Sequence, residues 1–395
     1  MAHRRCARSW KSKHISKTGQ HRTDVHPPDA KGHVMKAAVL RQGDIVHTDI
    51  AEPTVQAGQL LVAPLAAGIC GSDLSARHHT DDFLAAHIEA DAPGELFDPL
   101  RDIVLGHEFT ARILEVGSGV TGYQAGELIV ALPWIVTADG VTHTVGYTES
   151  SPGGLAQKSV LQAGGHLKIP TDVDPITAAV TEPLATGVNA VMRSGVPPRA
   201  AAVVIGCGPV GLGAVLELAV RRIHPIIASD PSATRRELAL AYGADIAVDP
   251  TDTDPLTTLQ TYSTQESFIF EASGAHGMIG QLIASAPKFS RITVVGSAMR
   301  PEVIRPVTGI LRNVRLEFVG GPGRNEPAYL AFERTFDHIV HRRFDPALMV
   351  TGYASLDAIG DVFAALRPSD GTSTDHVKIL VRNDLPEGTG VIATR

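Results

Sequence analysis

Two short segments, Cys70-Gly71-Ser72-Asp73 and Gly106-His107-Glu108, supply a thiol, an imidazole and two carboxylates. Cys, His and carboxylate are zinc-ligand types, and a catalytic zinc takes about three protein ligands while leaving one position open. Glu182, in Thr181-Glu182-Pro183-Leu184, is a further candidate. On spacing alone the assignment is open, because a solitary Cys usually packs in a core and a Glu before Pro often starts a helix.

A second cluster points to a nucleotide. Gly206-Cys207-Gly208-Pro209-Val210-Gly211 follows the apolar run Ala201–Ile205 and opens a helix-like stretch. In that setting Gly206 permits a tight turn, Gly208 lets backbone approach a pyrophosphate, and Gly211 lets helix pack on strand. The helix that Pro209 and Val210 open would face the phosphates with unpaired N–H groups of its first turn and the positive end of its dipole. Asp230 closes the next strand-like run, nineteen residues after Gly211. A carboxylate there accepts both adenosine ribose hydroxyls and repels a 2′-phosphate, which favours NAD over NADP. Arg235 and Arg236 temper that preference, since Arg accommodates a 2′-phosphate.

These clusters need different scaffolds. From Met35 to about Pro170 the chain reads as short strands (35–40, 60–65, 113–116, 128–132, 166–169) punctuated by Gly and Pro,. Residues 78–101 interrupt this pattern as an acidic insertion, expected as helix then loop at the surface. After Glu182 short apolar strands (201–205, 226–229, 246–248, 268–271, 292–295) alternate with helices (209–222, 232–242, 277–285), the pattern of βαβ units on a parallel sheet. Ligands of such sheets bind beyond the carboxyl ends of strands, so Ala272, Val295 and Gly296 should line the nicotinamide side.

Composition narrows the function class. The 395 residues are 44% hydrophobic and 19% charged, enough to build a core and unlike a disordered chain,. Net charge is −7, yet residues 1–34 carry eight Lys/Arg against two Asp, which leaves the remainder strongly acidic. That makes nucleic acid a poor partner for the folded body. Three cysteines exclude a disulfide framework and fit a cytoplasmic protein,. No run approaches the roughly 18 apolar residues of a membrane span.

Taken together, CGSD at 70–73, GHE at 106–108, GGLAQ at 153–157, EPLA at 182–185, GCGPVG at 206–211 and HVKILV at 376–381 resemble the zinc-dependent medium-chain alcohol dehydrogenase family. The likeness falls nearest its polyol and threonine dehydrogenase branch. It implies an α/β protein with a β-rich GroES-like catalytic domain and a doubly wound Rossmann cofactor domain. The expected division is a basic extension (1–34), the first part of the catalytic domain (35–182), the NAD-binding domain (183–320), the second part of the catalytic domain (321–381) and a flexible tail (382–395).

The same resemblance implies one catalytic zinc per chain, with Cys70 and His107 as ligands, Glu182 as a ligand directly or through water, and Glu108 as a neighbouring acid that can exchange with water on the metal. Asp73 would accept a hydrogen bond from His107, and Ser72 would take the alcohol proton. Lys378 would approach the cofactor pyrophosphate. The implied reaction moves a hydride between NAD and a small alcohol or its ketone, the alcohol being secondary: a polyol, sugar or amino alcohol. A homodimer or homotetramer is expected from family habit.

Two departures qualify it. Residues 109–152 contain no Cys, so the four-cysteine structural zinc of many members is not expected. Ser75 also stands where many members have the His that ends a proton relay; His78 and His79 are the nearby substitutes. Two other readings remain open: a zinc-free quinone or enone reductase, and a non-catalytic dinucleotide-binding protein.

Overall fold

The computed structural model describes residues 32–262, 266–321, 323, 327–366 and 374–394. The basic extension expected over 1–34 therefore lies almost wholly outside the described residues.

Six parallel strands form one sheet in the spatial order Ile246–Val248, Ile226–Ser229, Ala202–Ile205, Phe268–Glu271, Arg291–Val294, Arg315–Phe318. In sequence terms that order is 3-2-1-4-5-6, the doubly wound arrangement. Its central strands read AVVI, IIAS and FIFE and are buried at every position, because helices cover both faces of a parallel sheet. The connection reverses between Ala202–Ile205 and Phe268–Glu271, and this reversal opens a crevice above their carboxyl ends.

The other lobe is built on an eight-stranded mixed sheet whose long members are Gln59–Gly68 and Glu108–Val116. They pair antiparallel and bring Gly68 opposite Glu108. Lys378–Arg382 joins the far side of Gln59–Gly68, with Leu380 opposite Gly68, so a C-terminal strand completes a sheet begun by N-terminal residues. The tail read as flexible continues this sheet: Ile392–Ala393 pairs with Tyr353 and Gly352. Such pairing satisfies backbone groups of the edge strand Val350–Ser355 and holds a tail whose composition gave no strand signal.

The helix Thr181–Ser194 links the lobes. It ends at Gly195 in the left-handed conformation (φ 65°), a helix stop that suits a residue without Cβ. It packs on the dinucleotide-side helix Pro209–Val220 through facing glycines. A Cβ on Gly187 would lie 1.9 Å from Val210 O, and one on Gly213 would lie 2.1 Å from Leu184 O. One apolar cluster then crosses the junction, joining Ala66, Val350 and Leu380 of the mixed sheet to Leu184, Val204 and Leu212. The close helix contact ties the start of one helix, where Glu182 sits, to the phosphate turn at the start of the other.

The insertion differs from its surface reading. It follows the helix Gly71–His78 and forms the helix Thr80–Glu89 and a short 3-10 turn, Pro93–Glu95. Phe83 is fully buried and Phe97 nearly so, both within the main core of the β lobe. Asp81 and Glu89 of the helix Thr80–Glu89 are exposed to solvent, while Phe83 packs inward,. Among the described residues no helix is long and apolar enough to cross a membrane.

Candidate active site

A cavity of about 980 Å³ lies between the lobes. Its metal-type side is built by the chain reversal after Gln59–Gly68. Cys70 precedes the helix Gly71–His78, and its backbone N–H donates to Asp73 Oδ2 at 2.9 Å, so the fourth residue of the CGSD segment secures the helix start. His107 and Glu108 enter from the start of the neighbouring strand Glu108–Val116.

One donor atom from each of Cys70, His107 and Glu108 lies within 4.8 Å of the others. A sulfur, a ring nitrogen and a carboxylate oxygen converging on one point is a donor set that suits zinc. The Nδ1 of His107 is 3.4 Å from Asp73 Oδ1, which leaves Nε2 as the ring's ligand atom. Glu108 Oε1 is buried and makes no hydrogen bond, so it is open to a cation. These three side chains fit a metal ion.

Glu182 lines the same cavity but stands outside that group of three. Burial pushes its carboxyl up to about 7, with Glu108 adding to the rise and His107 and Lys378 opposing it. His107 is driven the other way. Burial lowers it, but Asp73 and Cys70 outweigh burial and hold it well above the ordinary imidazole value. Asp73 itself is fully buried; the cost of burial is outweighed by His107, the Cys70 N–H and the Tyr147 hydroxyl, and its carboxyl lies below the usual range.

Lys378 makes a contact that the sequence did not signal. The residue is 2% exposed, and its Nζ donates to Ile69 O at 2.9 Å and pairs with Glu108 Oε2 at 2.5 Å. It is thereby tied to the metal-type cluster, in the cavity that the phosphate turn also lines. The cause is sheet geometry. Lys378–Arg382 and Glu108–Val116 flank Gln59–Gly68 on opposite sides, and Gly68 leaves space for the two side chains to meet across it. A Cβ there would come 2.4 Å from Glu108 Oε2 and 3.0 Å from Lys378 Cδ.

The nucleotide side matches its motif. Gly206 has φ 87°, and a Cβ on it would meet Ser273 backbone at 2.7 Å. A Cβ on Gly211 would meet Gly206 O at 1.8 Å, whereas Gly208 faces open space. Pro209 begins the helix with Gly208 as its cap. Asp230 is buried and accepts from Cys207 N at 2.8 Å and Ser232 N at 2.9 Å, so one carboxylate braces both phosphate turn and ribose-side turn. Arg236 is engaged by Asp249 and the carbonyls of Asp230 and Pro231. Arg235 lines the cavity and makes a long bond to His376 O.

Ser72, Val210, Ala272, Val295 and Gly296 also line the cavity. A smaller cavity of about 230 Å³ shares Gly274 and Ser297 with it and is lined by Ser75, His79 and Asp82. His78 lines neither. The residue missed from sequence is Tyr147. It is 2% exposed, its hydroxyl donates to Asp73 Oδ1 at 3.0 Å, and Ser72 is its neighbour. Nothing in the sequence around it signals that contact across 74 positions.

Residues 56–171 match the alcohol dehydrogenase GroES-like domain family, and residues 209–332 match the zinc-binding dehydrogenase family. The chain is 29% identical over 287 residues to an L-threonine 3-dehydrogenase of Bacillus velezensis, covering 69% of this chain and 79% of that protein. It is 28% identical over 361 residues to the (R,R)-butanediol dehydrogenase of Bacillus subtilis, covering 88% and 99%. The crystal structure of 2R,3R-butanediol dehydrogenase from Bacillus subtilis superposes with a TM-score of 0.71 at 26% identity, covering 88% of this chain and 99% of that one. A zinc-binding dehydrogenase of Sinorhizobium meliloti 1021, solved with NADP, shares the fold with a TM-score of 0.72 at 24% identity, covering 89% and 99%.

Proposed function

The chain belongs to the zinc-type medium-chain alcohol dehydrogenase family, and on that premise we propose that it interconverts a secondary alcohol and its ketone with NAD and one zinc ion per chain. The observation that carries this reading is the convergence of Cys70, His107 and Glu108 in the cavity that also receives the phosphate turn. A hydride transfer needs acid chemistry at the carbinol oxygen and a dinucleotide whose nicotinamide reaches the same carbon.

Cys70, His107 and Glu108 would hold the metal, with Glu182 the nearby carboxylate able to exchange with them. Bound zinc would supply Lewis-acid polarisation of the substrate oxygen. Ser72, on the cavity wall beside Cys70, would accept the hydroxyl proton. Gly206, Gly208 and Gly211 with the helix start at Pro209 and Val210 would cradle the pyrophosphate, and Ala272, Val295 and Gly296 would border the nicotinamide. Asp230 supports NAD, because its charge disfavours a 2′-phosphate, while Arg236 is already committed to Asp249. Arg235 is the residue through which NADP would enter.

The substrate class rests on similarity to threonine and butanediol dehydrogenases, whose named substrates carry secondary alcohols. A homodimer or homotetramer is supported by an apolar outer edge. Val307, Ile310 and Leu311 of the helix Pro306–Arg312 are each at least half exposed, and Phe318 is 63% exposed on the edge strand Arg315–Phe318. The deciding experiment measures NAD and NADP reduction across diols, sugars, threonine and simple alcohols, with and without chelator. Less than about half a zinc per purified chain would overturn the zinc reading in favour of a metal-free reductase. Cofactor binding without any turnover would leave a dinucleotide-binding protein.

A further inference from the structure

We propose that Tyr147, clamped by the insertion, is a positioning residue for the metal centre: its hydroxyl locks Asp73 in the orientation that holds His107. This rests on the zinc reading above and adds to it a part the family motifs do not contain.

A carboxylate that supports an imidazole is useful only if it cannot turn about its own bond. Asp73 is pinned at both oxygens. Cys70 N holds Oδ2 at 2.9 Å and Tyr147 Oη holds Oδ1 at 3.0 Å. With both oxygens fixed, Oδ1 is presented to His107 Nδ1, 3.4 Å away. The contact to His107 is the longest of the three, so the ring is steered by a carboxylate whose position other groups set.

Tyr147 is in turn held by aromatic rings. Its ring centroid lies 5.3 Å from Phe83, 6.4 Å from Phe97 and 5.5 Å from His107. Phe83 comes from the helix Thr80–Glu89 and Phe97 from the loop after it. The segment following Tyr147 is tied to the one bearing His107 by Gly153 N to Val104 O and Gly154 N to Gly106 O. A phenylalanine would fill this core as well. A buried hydroxyl is retained at no cost only when it has a partner, and here that partner is the carboxylate behind a metal-type ligand. The insertion thus acts on the metal centre from behind.

The test uses the full-length chain with Tyr147→Phe, which keeps the ring and removes only the hydroxyl. Metal-stripped wild type and variant are titrated with Zn²⁺ against a competing chelator, and the Co²⁺ forms are compared by their visible d–d spectra. The expected result is a zinc affinity lower by about 10- to 100-fold and a shifted Co²⁺ spectrum, with NADH affinity unchanged. An affinity within about twofold of wild type and an identical Co²⁺ spectrum would overturn the proposal, even if the variant melts earlier. A second measurement adds Asp73→Asn alone and combined with Tyr147→Phe. If Tyr147 works through Asp73 the losses in zinc affinity are less than additive, and full additivity would also overturn it. A wild-type chain that takes up no zinc would instead remove the zinc reading itself, a result distinct from equal affinities.

Discussion

Lys378→Met separates two roles for one residue. In the structure the ammonium faces Glu108, and both side chains are at most 3% exposed. Removing the cation while keeping a similar stem leaves a buried carboxylate without its partner. Breaking one half of a buried pair costs about 3–5 kcal/mol. At about 2–4 °C per kcal/mol for a lobe of roughly 150–250 residues, the metal-free variant should melt roughly 6–20 °C below metal-free wild type. Added Zn²⁺ should recover part of that difference, because a cation at Glu108 replaces the lost ammonium, so the zinc-induced shift becomes larger in the variant. The assay is scanning calorimetry at a fixed scan rate with chelator or with Zn²⁺, alongside NADH titration by fluorescence. A pyrophosphate role gives the opposite pattern: NADH affinity falls about tenfold or more, as for a lost charge-assisted hydrogen bond, while the metal-free melting temperature holds. A metal-free melting temperature within about 1 °C of wild type would refute the ion-pair argument.

Four further outcomes are expected. Cys70→Ala should lose zinc and turnover while binding NADH within about twofold of wild type, since the thiol touches only the metal side; retained activity would contradict the ligand assignment. Asp230→Gly should weaken NAD more than NADP in direct binding, and equal losses would contradict the ribose role. Glu217, fully buried, is held down to about 2 by His338, Arg334 and Arg221 against the cost of burial. A depressed folded-state carboxyl stabilises above its unfolded value near 4.5 and loses that support as pH falls toward 2,. Glu217→Gln should therefore cost up to about 3 kcal/mol at neutral pH, less for the partial exposure of the two arginines, and should flatten stability between pH 5 and pH 2 in acid titration followed by circular dichroism; unchanged acid sensitivity would count against it. Leu311→Glu should shift the chain toward monomer in analytical ultracentrifugation without changing its melting profile at low concentration, and an unaltered oligomer would move the interface elsewhere.

Local chemistry was legible wherever one segment carries both the residue and the reason for it. The turn at Gly206 needs a positive φ, the helix needs Pro209 at its start, and Asp230 follows one strand later, so the dinucleotide crevice can be read along a single stretch of about 25 residues. The alternation of buried strands and helices likewise gave the parallel sheet, because burial on both faces forces continuous apolar runs. Cys70, Asp73, His107 and Glu108 could be named from residue type and resemblance, though not their distances.

What sequence alone could not decide are contacts that close over long separations. Lys378 lies 270 positions from Glu108 and Tyr147 lies 74 from Asp73, and neither pair leaves a local period or spacing. Each exists because a sheet places distant strands side by side: a glycine at position 68 lets Lys378 reach across one strand, and an insertion folds its aromatic face under His107. The acidic composition of that insertion reports the face in water and is silent about Phe83, whose burial depends on what the rest of the chain packs against it. Sequence therefore determined which chemical groups this protein owns and the lobe that carries each. Tertiary structure decided which of them touch, since burial and register are properties of the assembled sheets and not of any one segment.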